Sequence, residues 1–182
     1  MNHRVVRYLL LIAALLAPAR LLATPSIVVS VPEQKLALVD GGVPIATFPV
    51  STSKYGVGDQ TGSYRTPLGE MEIASRIGGD APMGAVFKHR VKTGEILRPN
   101  TSGRDPIVTR ILWLRGCEQQ NAAAYSRNIY IHGTPQEQLI GRPASYGCIR
   151  MRSKDIVRLY NEVSAGTKIA VVNKPLSRAL GR

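Results

Sequence analysis

Glycine and proline interrupt this sequence so often that long regular helices have little room in it. The chain holds 17 glycines and 12 prolines in 182 residues, and short runs rich in β-branched and apolar residues stand between them. Such runs are typical of strands, so the pattern predicts a mainly β, sandwich-like or barrel-like domain. The predicted strands cover residues 26–31, 35–40, 43–50, 69–75, 85–92, 107–113, 128–132 and 168–173, with CIRM at 148–151 as a further short strand.

Local signals indicate how some of these strands connect. Asp40-Gly41-Gly42 separates two of them and predicts a hairpin turn. Residues 75–127 are the least regular part of the chain and are expected to contain a flap over a cleft. One short helix is expected after residue 152, with Ser153 as its cap, Ile156, Leu159, Tyr160 and Val163 at helical spacing, and Gly166 at its exit.

The N-terminus has the pattern of a secretory signal peptide. Arg4 and Arg7 precede an apolar run over residues 8–16, which is shorter than the roughly 20 residues needed to span a bilayer. Small residues follow, and cleavage after Ala23 is favoured over cleavage after Ala19. An uncleaved N-terminal anchor is the alternative. The sequence therefore predicts an exported protein, with residues 1–23 removed.

The charge balance narrows the choice of partner. Removal of residues 1–23 takes away three arginines and no acidic residue, which leaves 21 basic against 12 acidic residues, a net charge of +9. Such a chain is attracted to anionic polymers and surfaces. Nucleic acid is a poor candidate for an exported protein with few aromatic residues, whereas an envelope polymer or an acidic lipid surface fits better. Simple solubility would also account for the charge. About 159 mature residues correspond to one domain, and we expect a monomer.

Two cysteines allow several interpretations. In an exported protein a Cys117–Cys148 disulfide is one alternative, although a chain of this size needs no such staple. A metal site is disfavoured, because Cys148, His132 and His89 make an incomplete ligand set. No cofactor is expected.

The segment from His132 to Met151 carries the chemistry of interest. Its strand-like approach places His132 at a strand end, and Gly133 and Gly147 permit turns or close backbone approach. An imidazole facing a thiol across adjacent strands suits a nucleophilic cysteine, with the backbone N–H groups of residues 146–148 stabilising an oxyanion. An isolated histidine and cysteine would more often be structural, so the pair alone does not decide the function.

The wider pattern resembles a known family. IYIHGT, then IG, then S-x-GCIRM, a short helix and GTKIAVV are similar to the YkuD-type L,D-transpeptidase domain of bacterial cell-wall enzymes. The upstream VSVPEQKLALVDGGVPIATFPVSTS and TPLGEMEI resemble its opening strands and its Thr-Pro-x-Gly turn. The resemblance covers residues 26–173 and implies a YkuD-like β-sandwich with a short helix after the cysteine. It gives a catalytic domain over 24–173 and a tail over 174–182.

The resemblance also implies roles for single residues. Cys148 would be the nucleophile and His132 the base, while the Gly133 carbonyl would orient the imidazole. Arg150 would contact an acidic substrate group or the local loop, with a structural ion pair as the alternative. Ser145, Tyr146 and Gly147 would form the substrate-binding turn before the cysteine. Many members have histidine where Tyr146 stands, Cys117 matches no catalytic position, and His89 is expected to be structural.

The implied reaction acts on peptidoglycan stem peptides. Cys148 would attack a donor tetrapeptide, D-alanine would leave, and a stem amine would take the acyl group in a 3-3 crosslink. L,D-carboxypeptidase activity or attachment of a lipoprotein to the wall are alternatives that use the same site. A sortase-like or papain-like peptidase fits the order and spacing of the two residues less well. A noncatalytic peptidoglycan-binding module is the alternative from another class, and a reactive thiol of low pKa would distinguish the enzyme from it.

Overall fold

The structure is a computed structural model that describes residues 24–181. The predicted signal peptide lies outside the described residues. In the described part the prediction of a mainly β domain with a short helix is confirmed, and none of its helices is long and apolar enough to cross a membrane. The strands are β1 Ser26–Ser30, β2 Lys35–Asp40, β3 Val43–Pro49, β4 Gly69–Ile77, β5 Ala85–Lys88, β6 Val91–Ile96, β7 Ile107–Gly116, β8 Tyr130–Gly133, β9 Ile149–Met151 and β10 Lys168–Val172. The helices are α1 Ser153–Glu162 and α2 Leu176–Ala179.

All ten strands join one mixed sheet in the order β3-β2-β1-β10-β4-β7-β5-β6. Two strands lie off this path: β8 pairs antiparallel with β7, and β9 pairs parallel with β8. The β7 strand therefore holds β4 and β5 along successive stretches and β8 as a further neighbour. This branch brings the segment around His132 into the sheet beside the segment around Cys148.

The predicted hairpin at Gly41 and Gly42 is confirmed. Both glycines have positive φ, 54° and 79°, and Asp40 lies opposite Val43 across the turn. The predicted single strand over 85–92 was wrong, because the chain reverses at His89 and Arg90. These two residues take left-handed φ values of 51° and 68° without any glycine or proline to announce a turn.

The helix after Cys148 forms where it was expected, but its cap differs. Ser153 is the first helical residue and Arg152 occupies the cap position without a side-chain bond. Instead, Oε1 of Glu137 accepts a hydrogen bond from the Ser153 backbone N–H at 2.8 Å. A carboxylate from another turn therefore satisfies the free amide that a capping serine would have served. The C-terminal helix α2 was not predicted from the sequence. It contacts β1.

The main core lies between the sheet and α1, which packs on β7 and β8. Its apolar side chains come from the first strands, the centre of the sheet and the helix. Many of them are fully buried, including Ile27, Val29, Leu36, Leu38, Met71, Leu112, Leu114, Ile131, Ile149, Met151, Ile156, Leu159 and Val171.

Candidate active site

The β8–β9 pair separates two kinds of side chain by alternation. Ile131 lies opposite Ile149 and His132 lies opposite Arg150, in parallel register. Since successive side chains of a strand point to opposite faces, the isoleucines enter the core and the polar side chains share the other face. The polar face carries Tyr130 and His132 of β8. It also carries Arg150 of β9 and Cys148, the residue just before β9.

The sulfur of Cys148 lies against the backbone of the chain just before and within β8. It accepts a hydrogen bond from the Tyr130 N–H at 3.4 Å and donates one to the Asn128 carbonyl, also at 3.4 Å. Cys148 is partly exposed and lines a cavity of about 370 Å³ together with Tyr64, Ile107, Arg127, Tyr130 and Tyr146, among others. A substrate group in this cavity would therefore have access to the sulfur.

His132 is buried, and its backbone neighbour fixes the state of its ring. Nδ1 lies 2.8 Å from the carbonyl oxygen of Gly133. Burial lowers the pKa of His132 to about 4, against the weaker opposing influence of this carbonyl and of Asp105. At neutral pH the imidazole is therefore uncharged. Because a carbonyl can only accept, the proton resides on Nδ1, and Nε2 carries a free lone pair.

Gly133 is required by close packing. A Cβ built on this residue would lie 2.5 Å from the carbonyl oxygen of Val108 and 3.0 Å from Cβ of Thr109. Thr109 itself has a φ of 74° at a bulge of β7, where the pairing with β8 shifts register. The bulge presses the β7 backbone against β8, and only glycine leaves room for it.

The thiol is held in its protonated state. Burial raises the pKa of Cys148 to about 11, although the Tyr130 N–H and two nearby arginines favour the thiolate. No hydrogen bond joins Cys148 to His132 within residues 24–181. The resting site therefore holds a neutral thiol and a neutral imidazole on one face of the β8–β9 pair, and the low thiol pKa that would distinguish an enzyme from a binding module is not found in the structure.

The turn before Cys148 is fixed by buried hydroxyl groups. The Ser145 hydroxyl donates to the Cys148 carbonyl at 2.6 Å and accepts from the Gly147 N–H at 3.2 Å. Gly147 has a φ of 119°, and its carbonyl accepts a hydrogen bond from Thr66 at 3.0 Å. The Gly147 N–H is thus already used, whereas the Tyr146 N–H donates to no protein group in the part of the chain that the structure describes.

Arg150 is buried and faces protein groups. Its Nη1 forms an ion pair with Asp105, and its Nη2 donates to the Ser51 hydroxyl at 3.3 Å. Asp105 in turn accepts a hydrogen bond from Thr134 at 2.5 Å. Arg150 therefore ties the loop after β8 and the segment before β7 to β9, an arrangement that favours the ion-pair alternative over direct contact with substrate.

Three other residues singled out in the sequence lie at the surface. Tyr146 is 58% exposed at the rim of the cavity. Cys117 is an exposed free thiol at the end of β7, and Cys148 is also free, so the alternative of a disulfide between them is absent from the structure. His89 sits exposed at the β5–β6 turn.

Comparison with known proteins decides the family. The family model for the YkuD L,D-transpeptidase catalytic domain matches residues 24–171. The chain belongs to this family.

Individual relatives agree with this assignment. A Bacillus subtilis protein named as an L,D-transpeptidase, YkuD, is 33% identical over 82 residues, which cover 44% of this chain and 50% of that protein. YcfS of Escherichia coli, named likewise, is 43% identical over 54 residues, or 30% of this chain and 17% of that protein. The chain thus spans half or less of the length of these two relatives.

The fold also matches solved L,D-transpeptidases. L,D-transpeptidase 3 from Mycobacterium tuberculosis, solved with a faropenem-derived adduct, aligns with a TM-score of 0.53 at 17% identity. The alignment covers 81% of this chain and 60% of that one. At this identity the likeness concerns the fold alone.

Some residues around the family motif had no signal in the sequence. Asp105, Ser51 and Gln136 reach Arg150 from distant segments, and no spacing links them to it. Arg90, at the tip of the β5–β6 hairpin, donates to both the Asn128 side-chain oxygen and the Tyr130 hydroxyl at 3.0 Å. The irregular segment was expected to contain a flap, and this hairpin tip contacts the residues whose backbones hold the sulfur.

Proposed function

We propose that this protein is an exported cysteine L,D-transpeptidase that acts on peptidoglycan stem peptides. The proposal rests on family membership together with one observation. The Cys148 thiol lines a cavity of about 370 Å³, and the His132 imidazole, with a free Nε2, stands on the same face of the β8–β9 pair. That arrangement supplies the nucleophile and the proton acceptor that acyl transfer needs.

In the acylation step, the Cys148 sulfur attacks the carbonyl carbon between the third residue and the terminal D-alanine of a tetrapeptide. Its proton passes to Nε2 of His132 as the S–C bond forms. When the C–N bond breaks, that proton moves to the departing nitrogen. D-Alanine therefore leaves with a neutral amine, and a thioester remains on Cys148. Because both groups rest in neutral form, the thiolate arises only during attack.

Gly133 and the turn before the cysteine assist from the backbone. The Gly133 carbonyl stabilises the imidazolium that forms in the transition state, in the place of a triad carboxylate. The N–H of Tyr146, which has no protein acceptor among the described residues, and the N–H of Cys148 point to an oxyanion site at this turn. Ser145 and Gly147 hold its shape, and Arg150 braces β9 through its ion pair with Asp105.

Deacylation needs an acceptor, and three remain open. A side-chain amine of another stem gives a 3-3 crosslink, which we propose as the main product. Water would give an L,D-carboxypeptidase, and a lipoprotein lysine would anchor that lipoprotein to the wall. In each case the acceptor passes a proton to His132 and the thiol is restored.

The location follows the same proposal. Residues 1–23 would act as a signal peptide, and the mature monomer would work in the periplasm or cell envelope. Its net charge of +9 favours adsorption to the wall, so binding to isolated sacculi should weaken as salt rises. N-terminal sequencing of envelope protein that began at Met1 would reject cleavage.

The decisive experiment compares wild type, Cys148→Ala and the matched control Cys117→Ser on purified tetrapeptide muropeptides. Mass spectrometry should show D-alanine release and crosslinked dimers with wild type and the control, and neither with Cys148→Ala. A carbapenem should likewise leave an adduct on the peptide that contains Cys148. Release of D-alanine by Cys148→Ala would refute the proposal, and the masses of the products identify the acceptor.

The carbapenem adduct on Cys148 also distinguishes an enzyme from a noncatalytic binding module. Alkylation of the resting thiol is a poor test, because burial raises the pKa of Cys148 to about 11 and an active enzyme would also label slowly. An acyl adduct requires the thiol, the base and the oxyanion site together.

A further inference from the structure

Three exposed tyrosines gather at the rim of the Cys148 cavity, and the proposed mechanism uses none of their rings. Tyr55, Tyr64 and Tyr146 are 47%, 58% and 58% exposed. Their ring centroids lie 5.7 to 6.0 Å apart, so that each ring touches the other two. Of the six other aromatic side chains within residues 24–181, four are buried, namely Phe48, Phe87, Tyr130 and Tyr160.

Separate loops supply these rings, and buried hydrogen bonds hold the loops together. The Ser53 hydroxyl donates to the Tyr64 carbonyl at 2.5 Å and accepts from the Tyr55 N–H at 3.0 Å. The Ser53 N–H donates to Thr66, whose hydroxyl donates to the Gly147 carbonyl beside Tyr146. The tyrosine platform, defined as these three rings, is therefore built by the backbone and does not depend on apolar collapse.

The platform also contains backbone strain and a fixed charge. Tyr64 has a φ of 57°, a left-handed conformation that is unfavourable for a tyrosine and that persists where surrounding structure enforces it. Nζ of Lys54 donates to the Tyr146 hydroxyl at 3.1 Å and lies 4.4 Å from the centre of that ring. The surface thus offers aromatic faces with polar groups at their edges.

We infer that the tyrosine platform binds pyranose rings of the glycan strand that carries the stem peptide. One face of an N-acetylated pyranose presents C–H groups that stack on an aromatic ring, while its hydroxyl and acetamido groups suit the ammonium and phenol groups at the rim. This inference rests on the proposed function, because that function places a stem peptide at Cys148.

The position of the platform matches the reach of a stem. Only Gly147 stands between Tyr146 and Cys148, so their Cα atoms lie at most about 7 Å apart. Three stem residues extended from the sulfur span about 10 Å, so a sugar carried by the stem would lie toward the rim of the cavity that Tyr64 and Tyr146 line. Tyr64 and Tyr146 line the Cys148 cavity as well, so one surface continues from sulfur to platform.

Two other occupants are less favourable. A symmetric pairing of two copies through this patch would bring Lys54 and Arg65 of each copy near their own counterparts, in a protein whose proposed mature form has a net charge of +9. Single-stranded nucleic acid stacks on aromatic rings, but its binding rests on a groove of several phosphate contacts and is strongly salt-dependent. A neutral saccharide needs neither a groove nor low salt.

The test uses chitotetraose, a tetramer of N-acetylglucosamine without peptide, titrated calorimetrically into the full chain. We expect binding whose dissociation constant rises about fivefold or more in Tyr55→Ala and stays near wild type in Tyr55→Phe, because the ring does the stacking. Tyr125→Ala removes another exposed tyrosine and is the matched control. Raising salt from about 50 to about 300 mM should leave the affinity nearly unchanged.

Several results would overturn the inference. Absence of chitotetraose binding, or an equal affinity in Tyr55→Ala, removes the platform as a saccharide site. Displacement of chitotetraose by oligothymidylate at low salt, or a concentration-dependent dimer lost in Tyr55→Ala, assigns the patch to another occupant.

A kinetic comparison separates this inference from the proposed function. In Tyr55→Ala the KM for a disaccharide-tetrapeptide should rise relative to the KM for the free tetrapeptide, since only the first carries sugar rings. Turnover of free tetrapeptide without saccharide binding refutes the platform alone. Saccharide binding without any turnover of free tetrapeptide refutes the transpeptidase proposal and leaves the binding surface.

Discussion

The two faces of the β8–β9 pair differ in what they contribute. On the core face, Ile131, Ile149 and Met151 are fully buried among apolar neighbours and gain stability from transfer out of water. On the other face, His132 is buried and Cys148 is partly exposed to the cavity, and the pKa values of both are shifted. Nε of Arg150 is buried there without a hydrogen-bond partner. Neighbouring residues of one strand thus serve either the core or the reaction. Substitutions on the core face should lower stability, and substitutions on the other face should lower the reaction rate.

His132→Ala should show the largest effect and act on one face only. Loss of general-base assistance lowers the acylation rate by about 10²- to 10⁴-fold, or roughly 3 to 5 kcal/mol of barrier. Urea unfolding of the variant at pH 8 should remain cooperative and near wild type. His89→Asn is the control, since asparagine tolerates the left-handed φ at that exposed turn. A similar rate loss in the control would contradict the assignment of the base.

Ile149→Ala should produce the opposite pattern. Removing a fully buried isoleucine beside the cysteine costs about 3 kcal/mol of unfolding free energy, while Ile149→Val costs about 1 kcal/mol. The rate of D-alanine release, measured well below the unfolding transition, should change far less than in His132→Ala. If Ile149→Ala instead lost activity while its stability was retained, the division between the two faces would be wrong.

Stability should depend on pH through the chemical face. The pKa of His132 is lowered from 6.5 to about 4, so the unfolded chain takes up the proton first, and stability falls as pH drops from 6.5 toward 4. The pKa of Cys148 is raised from 9.0 to about 11, so stability also falls as pH rises from 9 toward 11. Each change amounts to at most about 3 kcal/mol.

Urea unfolding across a pH series measures both limbs. In His132→Ala, the decrease in unfolding free energy between pH 6.5 and 4 should be smaller by the part due to His132. In Cys148→Ala, the decrease between pH 9 and 11 should be smaller by the part due to Cys148. The activity of wild type should fall below about pH 4, where a protonated His132 no longer accepts the proton. An acid limb of activity near pH 6.5 would show that His132 titrates as a solvated histidine.

Gly133→Ala should affect both stability and reaction rate, because Gly133 contributes to both faces. Its Cα packs against β7 and its carbonyl holds the His132 ring. The added methyl group, 2.5 Å from the Val108 carbonyl, should lower stability by about 2 kcal/mol and also slow acylation. Gly79→Ala is the control, since its new methyl group meets Tyr160 at an ordinary 3.4 Å. Normal activity in Gly133→Ala would remove the proposed role of the carbonyl.

Cys117→Ser should have the smallest effect. The side chain is exposed and free, so stability should change by less than about 0.5 kcal/mol and turnover should be unchanged. Intact mass of the active enzyme should show no internal disulfide. Loss of activity in this folded variant would indicate a redox role for Cys117.

The sequence could predict what local chemistry determines. Most strands, the Gly41–Gly42 turn and the short helix follow from residue periodicity and turn residues. The position of His132 and Cys148 on neighbouring strands follows from the family motif. The Asp105–Arg150 pair could not be predicted, because tertiary structure alone joins segments 45 positions apart.

Other features depend on surroundings that a single sequence does not display. The reversal at His89 and Arg90 has no glycine, and the cap of α1 comes from Glu137 of a different turn. The raised pKa of Cys148 results from burial, which its motif does not encode. The tyrosine platform brings together residues from loops whose contact is made by Ser53 and Thr66.

The pairing of β1 with β10 has a consequence for how the chain folds. Ile27 of the first strand lies opposite Ile169 of the last, and Leu176 beyond it donates a hydrogen bond to Glu33. The centre of the sheet is therefore a contact of very high sequence separation, which makes folding slow and leaves any shorter nascent chain with an unpaired edge. Such a chain would keep the edges of β1 and β4 that face β10 unpaired until its last strand was available.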